Sequence, residues 1–286
     1  MLLSSAIQQY VNYLELKESS KMTIKSYRTL LNEFMRYVEA YHNGPVSIDE
    51  IKCSDIEMFL AFRRSVGDVP TSRNRHFYIL SGFFGFLLNR DLVEKNIMKM
   101  LTPIKINQKE RKYLEFHQIE QLLDAIESPI LKVAVTTLAY TGLRVSELCN
   151  LKDSDVDLDM RVIRVISGKG NKDRLVPISE KLHPILLDYT IRLKPRKQTD
   201  YFFATHKNPV ITDDYINRVI KAAATKIGLD FKPTAHTLRH SFASALVKKN
   251  APLPSVQRIL GHADLRITSR YIHQNFSQIK DAVDLI

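Results

Sequence analysis

Thiols, metal-ligand patterns and nucleotide loops are all scarce in this chain, and each scarcity removes a class of chemistry. Cys53 and Cys149 are the only two cysteines among 286 residues. They are too few and too far apart for a disulfide framework or a tetrathiolate zinc site, and two unpaired thiols fit a reducing compartment. No His-Glu-x-x-His, Walker lysine loop or Gly-x-Gly-x-x-Gly occurs, so neither a zinc-protease, a P-loop nor a dinucleotide site is expected. Asp153, Asp155, Asp157 and Asp159 alternate as in a calcium loop, yet the positions that such a loop reserves for Gly and Glu hold Leu158 and Arg164. The intervening Val156, Leu158 and Met160 point instead to an edge strand or loop with solvated acids. No apolar run reaches the roughly 18 to 20 residues of a membrane span, and Met1 to Leu16 has no basic stretch before its apolar residues. The expectation is a soluble, cytoplasmic protein with no metal and no cofactor.

What the chain has in excess is positive charge. Lys and Arg number 42 against 31 Asp and Glu, a net +11 and an isoelectric point near 9.5. A polyanionic partner follows through counterion release, although charge alone does not choose between DNA, RNA and an acidic membrane. The length suits two domains better than one.

Periodicity divides the chain. Residues 1–101 read as helical throughout: Ile7, Tyr10, Val11 and Leu14 recur at helical spacing, as do Ile24, Tyr27, Leu30, Leu31, Phe34 and Val38. Asn43-Gly44-Pro45 breaks the pattern. Ser47 then offers an N-cap with Glu50 three residues on, and Ser54 or Asp55 caps a helix running to Phe62. A further helix spans Ser72 to Asn89, with Phe77, Leu80, Phe84 and Leu87 or Leu88 inward. Four or five amphipathic helices make a bundle. Residues 102–112 lack periodicity, hold Pro103 and carry Lys105, Lys109, Arg111 and Lys112, which reads as a basic linker. Beyond it, 113–286 forms a second domain. Its helices at Phe116–Ile126 and Leu131–Tyr140 give way to β-type runs, Val162–Ile166 and Leu175–Ile178, around a turn at Gly168–Asp173, and then helix returns.

Five short motifs lie in this second half: Thr-Gly-Leu-Arg-Val-Ser-Glu-Leu ending at Leu148, Gly-Lys-Gly-Asn-Lys-Asp-Arg ending at Arg174, His236-Thr-Leu-Arg-His240, Leu260-Gly-His262, and Tyr271. Arg144 and Arg239 sit in apolar helical sequence, where an arginine needs a partner. A guanidinium fork suits a phosphate because it donates two parallel hydrogen bonds and stays charged. Glu147 lies one turn after Arg144 and can orient it, with a plain surface ion pair as the simpler alternative. His236 and Arg239 share a helix face, and imidazole suits proton transfer. His240 points elsewhere and reads as structural. His262 follows a helix-ending Gly261.

The order and spacing of these motifs resemble the tyrosine recombinase family of phage integrases and Xer proteins, over nearly the whole chain. The resemblance implies a mainly α fold with a small antiparallel β-sheet: a helical, SAM-like core-binding domain and an α+β catalytic domain, closing as a clamp around duplex DNA. It implies Tyr271 as nucleophile, Arg144 and Arg239 as the phosphate clamp, His236 and His262 as hydrogen-bond partners of the phosphate, and Lys169 in the hairpin turn as general acid, with Lys172 the alternative. It also implies a 3′-phosphotyrosyl link, strand exchange through a Holliday junction, no metal or ATP, and four protomers on paired inverted half-sites, alike or shared with a related recombinase. Thr23, Tyr27 and the helix from Ser72 to Leu88 carry the looser likeness in the first domain. Ile267 and Ile272 depart from residues frequent in the family. Lys21, Lys25 and Arg28 on one helix start, and Arg73 and Arg75 on another, are expected against DNA. Phe276, Ile279, Val283, Leu285 and Ile286 form a tail stripe that docks on a neighbouring protomer or on its own domain. A type IB topoisomerase shares this chemistry, and a catalytically silent DNA-binding protein would keep only the bundle and the charge.

Overall fold

The structure is a computed structural model, and it describes residues 1–106, 112–166, 173–195, 199–205 and 207–261. The chain forms two compact units, Met1–Lys109 and Glu110–Ile286.

The first unit is a bundle of α1 (Leu3–Leu16), α2 (Lys21–Tyr41), α3 (Cys53–Ser65) and α4 (Pro70–Leu88), followed by a 3-10 turn at Ile97–Met100. Ser20 caps α2 by accepting from the Thr23 N–H, and Pro70 opens α4 where its missing N–H is harmless. The inward stripes predicted from spacing meet in one apolar core, where Val11, Leu31, Phe34, Leu80, Phe84 and Leu87 are fully buried, although Ile24 and Tyr27 are only partly so; Leu3, Phe59 and Phe83 complete it. Asn43 ends the α2 region in the left-handed conformation, as the Asn-Gly-Pro break suggests.

No helix starts at Ser47, which corrects the sequence expectation. Glu50 does reach back to the Ser47 N–H at 2.7 Å, but only a turn results. The backbone here is committed elsewhere: Leu3 N–H donates to Val46 O and Ile48 N–H to Met1 O, which ties the segment to the amino terminus in extended form. The helix begins instead at Cys53, with Asp55 accepting from the Lys52 N–H at 2.7 Å and from His42. Thr102–Ile106, the described start of the expected basic linker, is joined to the bundle, because the Asn74 amide makes two hydrogen bonds with the Ile104 backbone, at 2.7 and 2.8 Å.

The second unit comprises α5 (Phe116–Asp124), α6 (Pro129–Thr141), α7 (Val145–Cys149), α8 (His183–Asp188), α9 (Asp213–Lys226), α10 (Ala235–Lys248) and α11 (Leu253–Leu260) together with a three-stranded antiparallel sheet. Its strands are β1 (Val156–Asp157), β2 (Val162–Val165) and β3 (Arg174–Pro177), with Ile163 opposite Val176 and Val165 opposite Arg174. Of the alternating acids, Asp153 and Asp155 sit in a 3-10 turn, Asp157 on the edge strand and Asp159 in the turn after it; Asp155, expected to be solvated, is instead buried and accepts from the Lys152 N–H at 2.9 Å. α6 lies at the centre, buried on nearly all sides, and its Thr136, Thr137 and Thr141 hydroxyls satisfy themselves on carbonyls one turn back.

Gly142 ends α6 at φ +65°, and a Cβ there would lie 2.5 Å from the Phe242 ring and 3.0 Å from Leu260. Both the left-handed conformation and the close approach of α10 and α11 require glycine. Gly142→Ala is therefore expected to destabilise the second unit by about 2 kcal/mol or more, from φ strain and overpacking together. Denaturant unfolding of the full chain, followed by a probe in this unit, checks it; unchanged stability would show that Phe242 yields freely.

Candidate active site

α7 places the first arginine. Its residue before the helix, Arg144, is extended at φ −69°, and the Glu147 carboxylate folds back on it, taking the Arg144 N–H at 2.7 Å through Oε2 and the Arg144 Nη1 at 2.7 Å through Oε1. The pairing that spacing suggested is present, with Glu147 largely buried and Arg144 about a third exposed.

Sequence reasoning passed over the residue that holds Glu147 most firmly. Arg174, at the start of β3, gives the carboxylate two bonds: Nη1 to Oε1 at 2.8 Å and Nη2 to Oε2 at 2.7 Å. Its side chain is only 5% exposed. A signal was available in the strand period. The alternation that sends Val176 into the core and leaves Leu175 exposed also sends Arg174 inward.

α10 contributes the second arginine of the expected clamp. Arg239 is buried, and its Nη1 donates to Gly142 O and its Nη2 to Leu260 O, each at 2.5 Å. His236 lies one turn earlier on α10 and is exposed, while His240 presents its ring to the face edge of Tyr113 at 6.3 Å.

These arginines converge on one place, the carboxyl end of α11. Three successive carbonyls there accept from three different guanidiniums: Ile259 O from Arg174 Nε at 2.7 Å, Leu260 O from Arg239 Nη2, and Gly261 O from Arg144 Nη2 at 3.2 Å. The negative end of a helix dipole and its unsatisfied carbonyls draw cations there. Gly261 turns the chain at φ +64°, and a Cβ on it would meet Arg174 Cδ at 3.0 Å. The next residue is His262. His262, Tyr271, the hairpin residues Lys169 and Lys172, and the tail from Phe276 all lie outside the described residues.

In the first unit, the two basic helix starts are neighbours. Arg75 Nη2 on α4 donates to Ser26 Oγ on α2 at 2.5 Å, and Tyr27, Thr71, Arg75 and Tyr78 border a shared shallow cavity. Lys21 and Lys25 are exposed and form no ion pair among the described residues. Arg28 is half occupied by Glu15 on α1 at 3.1 Å, and Arg73 is partly buried. Among the described residues no cluster of three metal-ligating side chains occurs, and no helix is long and apolar enough to cross a membrane.

Residues 112–278 match the family model described as the phage integrase family, and residues 7–91 match the phage integrase N-terminal SAM-like domain. The chain is 31% identical to the tyrosine recombinase XerD of Listeria innocua serovar 6a, across 98% of this chain and 97% of the relative. It is similar to the crystal structure of XerA recombinase at 32% identity and TM-score 0.55, covering 99% of this chain and 98% of that one. A crystal structure of a lambda integrase tetramer bound to a Holliday junction shares the fold, with TM-score 0.77 at 21% identity over 92% of this chain and 78% of that one.

The electrostatics of Glu147 give a measurable signature. Burial alone would raise its carboxyl pKa, but hydrogen bonds from Arg174 and the Arg144 backbone, with the Arg174 charge, outweigh that and hold it at about 2. A folded-state value below the ordinary 4.5 means that the ionised group stabilises the fold above about pH 4.5, and that this is lost as pH falls toward about 2. Glu147→Gln should thus be less stable than wild type at neutral pH, and the gap should close through that window. A gap in denaturation midpoints that stays constant from neutral pH to pH 2 would show that the carboxylate charge is not what anchors the arginines.

Proposed function

The chain belongs to the phage integrase family of tyrosine recombinases, and we propose on that premise that Tyr271 is the nucleophile with which this site-specific DNA recombinase cleaves its target. The observation that supports the reading is the convergence of Arg144 and Arg239 on adjacent carbonyls, Gly261 O and Leu260 O, immediately before His262.

Cleaving a phosphodiester in this way requires three things: charge offset on the non-bridging oxygens, an in-line nucleophile, and a proton for the leaving oxygen. Arg144 and Arg239 supply the first as forked, permanently charged donors. Tyr271 attacks phosphorus, the P–O5′ bond breaks, and a 3′-phosphotyrosyl link forms. A phenol is a weak nucleophile at its ordinary pKa near 10, so the cationic surroundings and His236, which takes its proton, make it competent. His262 adds a hydrogen bond to the phosphate. Lys169 protonates the departing O5′, with Lys172 as the alternative donor from the same turn. Glu147 orients Arg144. Attack by a 5′ hydroxyl of the partner strand reverses the link, and two such exchanges pass through a Holliday junction. No metal or ATP enters because the link conserves the bond.

The assembly is a tetramer on two synapsed sites with inverted half-sites, of this chain alone or with a related recombinase, and it serves cointegrate or multimer resolution or integration. The tail stripe from Phe276 to Ile286 docks on the neighbouring protomer. The helix starts bearing Lys21, Lys25, Arg28, Arg73 and Arg75 meet the DNA, the first chiefly at phosphates. Among the described residues Lys21 and Lys25 form no ion pair, whereas Arg28 shares its charge with Glu15.

Tyr271→Phe should bind site DNA normally yet form no covalent adduct on a nicked suicide substrate. Adduct at the wild-type level would remove Tyr271 from the mechanism. Recombinant product from paired sites, rather than supercoil relaxation alone, separates the reading from topoisomerase activity.

Replacing Lys21 and Lys25 by Gln should weaken binding to all sequences alike and flatten the dependence of log K on log salt by about one unit per lost phosphate contact. An unchanged slope would place the DNA on another face.

A further inference from the structure

We propose that Arg174 is a positioning residue, setting the aim of Arg144 at the scissile phosphate through the shared Glu147 carboxylate. The inference rests on the recombinase reading above. Arg144 is a long side chain beside a five-residue helix, about a third exposed, so its direction is set by what its head bonds. What selects its direction is Glu147 Oε1, to which its Nη1 donates at 2.7 Å. That carboxylate is oriented in turn by Arg174, whose two Nη groups take one oxygen each at 2.8 and 2.7 Å and so fix the carboxylate plane. Both oxygens therefore serve two partners, Oε1 the heads of Arg174 and Arg144, and Oε2 the head of Arg174 and the Arg144 N–H.

The third donor of Arg174 carries the constraint further. Nε bonds Ile259 O at 2.7 Å, and the side chain lies against Gly261 so closely that any Cβ there would stand 3.0 Å from its Cδ. One guanidinium thus registers β3, which follows Lys169 and Lys172 in the chain, against α7 and against the end of α11, which precedes His262. Arg144 spends its bonds to Glu147 and Gly261 O and keeps further N–H donors of its five for a phosphate. A lysine in place of Arg174 keeps the charge but cannot span both carboxylate oxygens and the Ile259 carbonyl at once.

The test is single-turnover cleavage of a nicked suicide substrate at saturating DNA, by full-length wild type, Arg174→Lys, Glu147→Gln and the double variant. Rates rather than amplitudes are read, so that a partly folded preparation does not imitate the effect. Arg174→Lys should leave DNA affinity within about 3-fold and slow cleavage by about 10- to 100-fold, the scale of a misaligned reacting group. In the Glu147→Gln background the same substitution should add little. On a substrate whose scissile phosphate carries an uncharged methylphosphonate, the charge that Arg144 offsets is gone, and the ratio of wild-type to Arg174→Lys rates should shrink. Normal cleavage by Arg174→Lys, multiplicative effects in the double variant, or an unchanged ratio on the neutral substrate would each overturn the inference. Absence of any adduct with wild type would instead overturn the recombinase reading beneath it.

Discussion

A guanidinium taken out of water needs a partner for its charge and for its hydrogen-bond donors, and Arg174 is almost wholly out of water. The arrangement of the second unit around it follows from that demand. Glu147 must present both oxygens, so α7 must stand with its first turn toward β3. Ile259 must present its carbonyl, so α11 must end where β3 begins. Once those partners are fixed, Arg144 inherits a charge-assisted bond to the same carboxylate, so that Glu147 carries the charge of two guanidiniums.

Glycine makes the approach of these elements geometrically possible. Gly142 and Gly261 end α6 and α11 in the left-handed conformation, and each lies against a side chain that would collide with a Cβ, Phe242 in the first case and Arg174 in the second. The helix ends they create expose carbonyls that nothing within the helix can satisfy. Arginines from α7, α10 and β3 satisfy several of them, so helix termination and the gathering of cations are one event in this fold.

The first unit works differently. Its apolar stripes are consumed in a single core, and its surface is set by which helix starts are brought side by side. The contact between Arg75 and Ser26 joins the starts of α2 and α4, and the Glu15 pair draws part of the Arg28 charge back toward α1. Exposed Lys21 and Lys25 lie at a helix amino terminus, where the dipole adds to their positive charge.

Local signals in the sequence determined a good deal. Helical spacing located α1, α2 and α4 and the residues they bury, and the switch to period two located the hairpin, because burial on one face imposes those periods wherever an element packs. The pairing of Arg144 with Glu147 was legible for the same reason, being separated by one turn. Ser47 misled, since its capping pattern competes with backbone pairing to the distant amino terminus that no local pattern records. Arg174 was the larger omission. Strand alternation pointed it inward, but its importance lies in Glu147 and Ile259, which are 27 and 85 residues away in the chain. Only the tertiary structure decided that three arginines from separate motifs would meet at one helix end, because a buried charge is defined by what surrounds it, and its surroundings here come from elements remote in sequence.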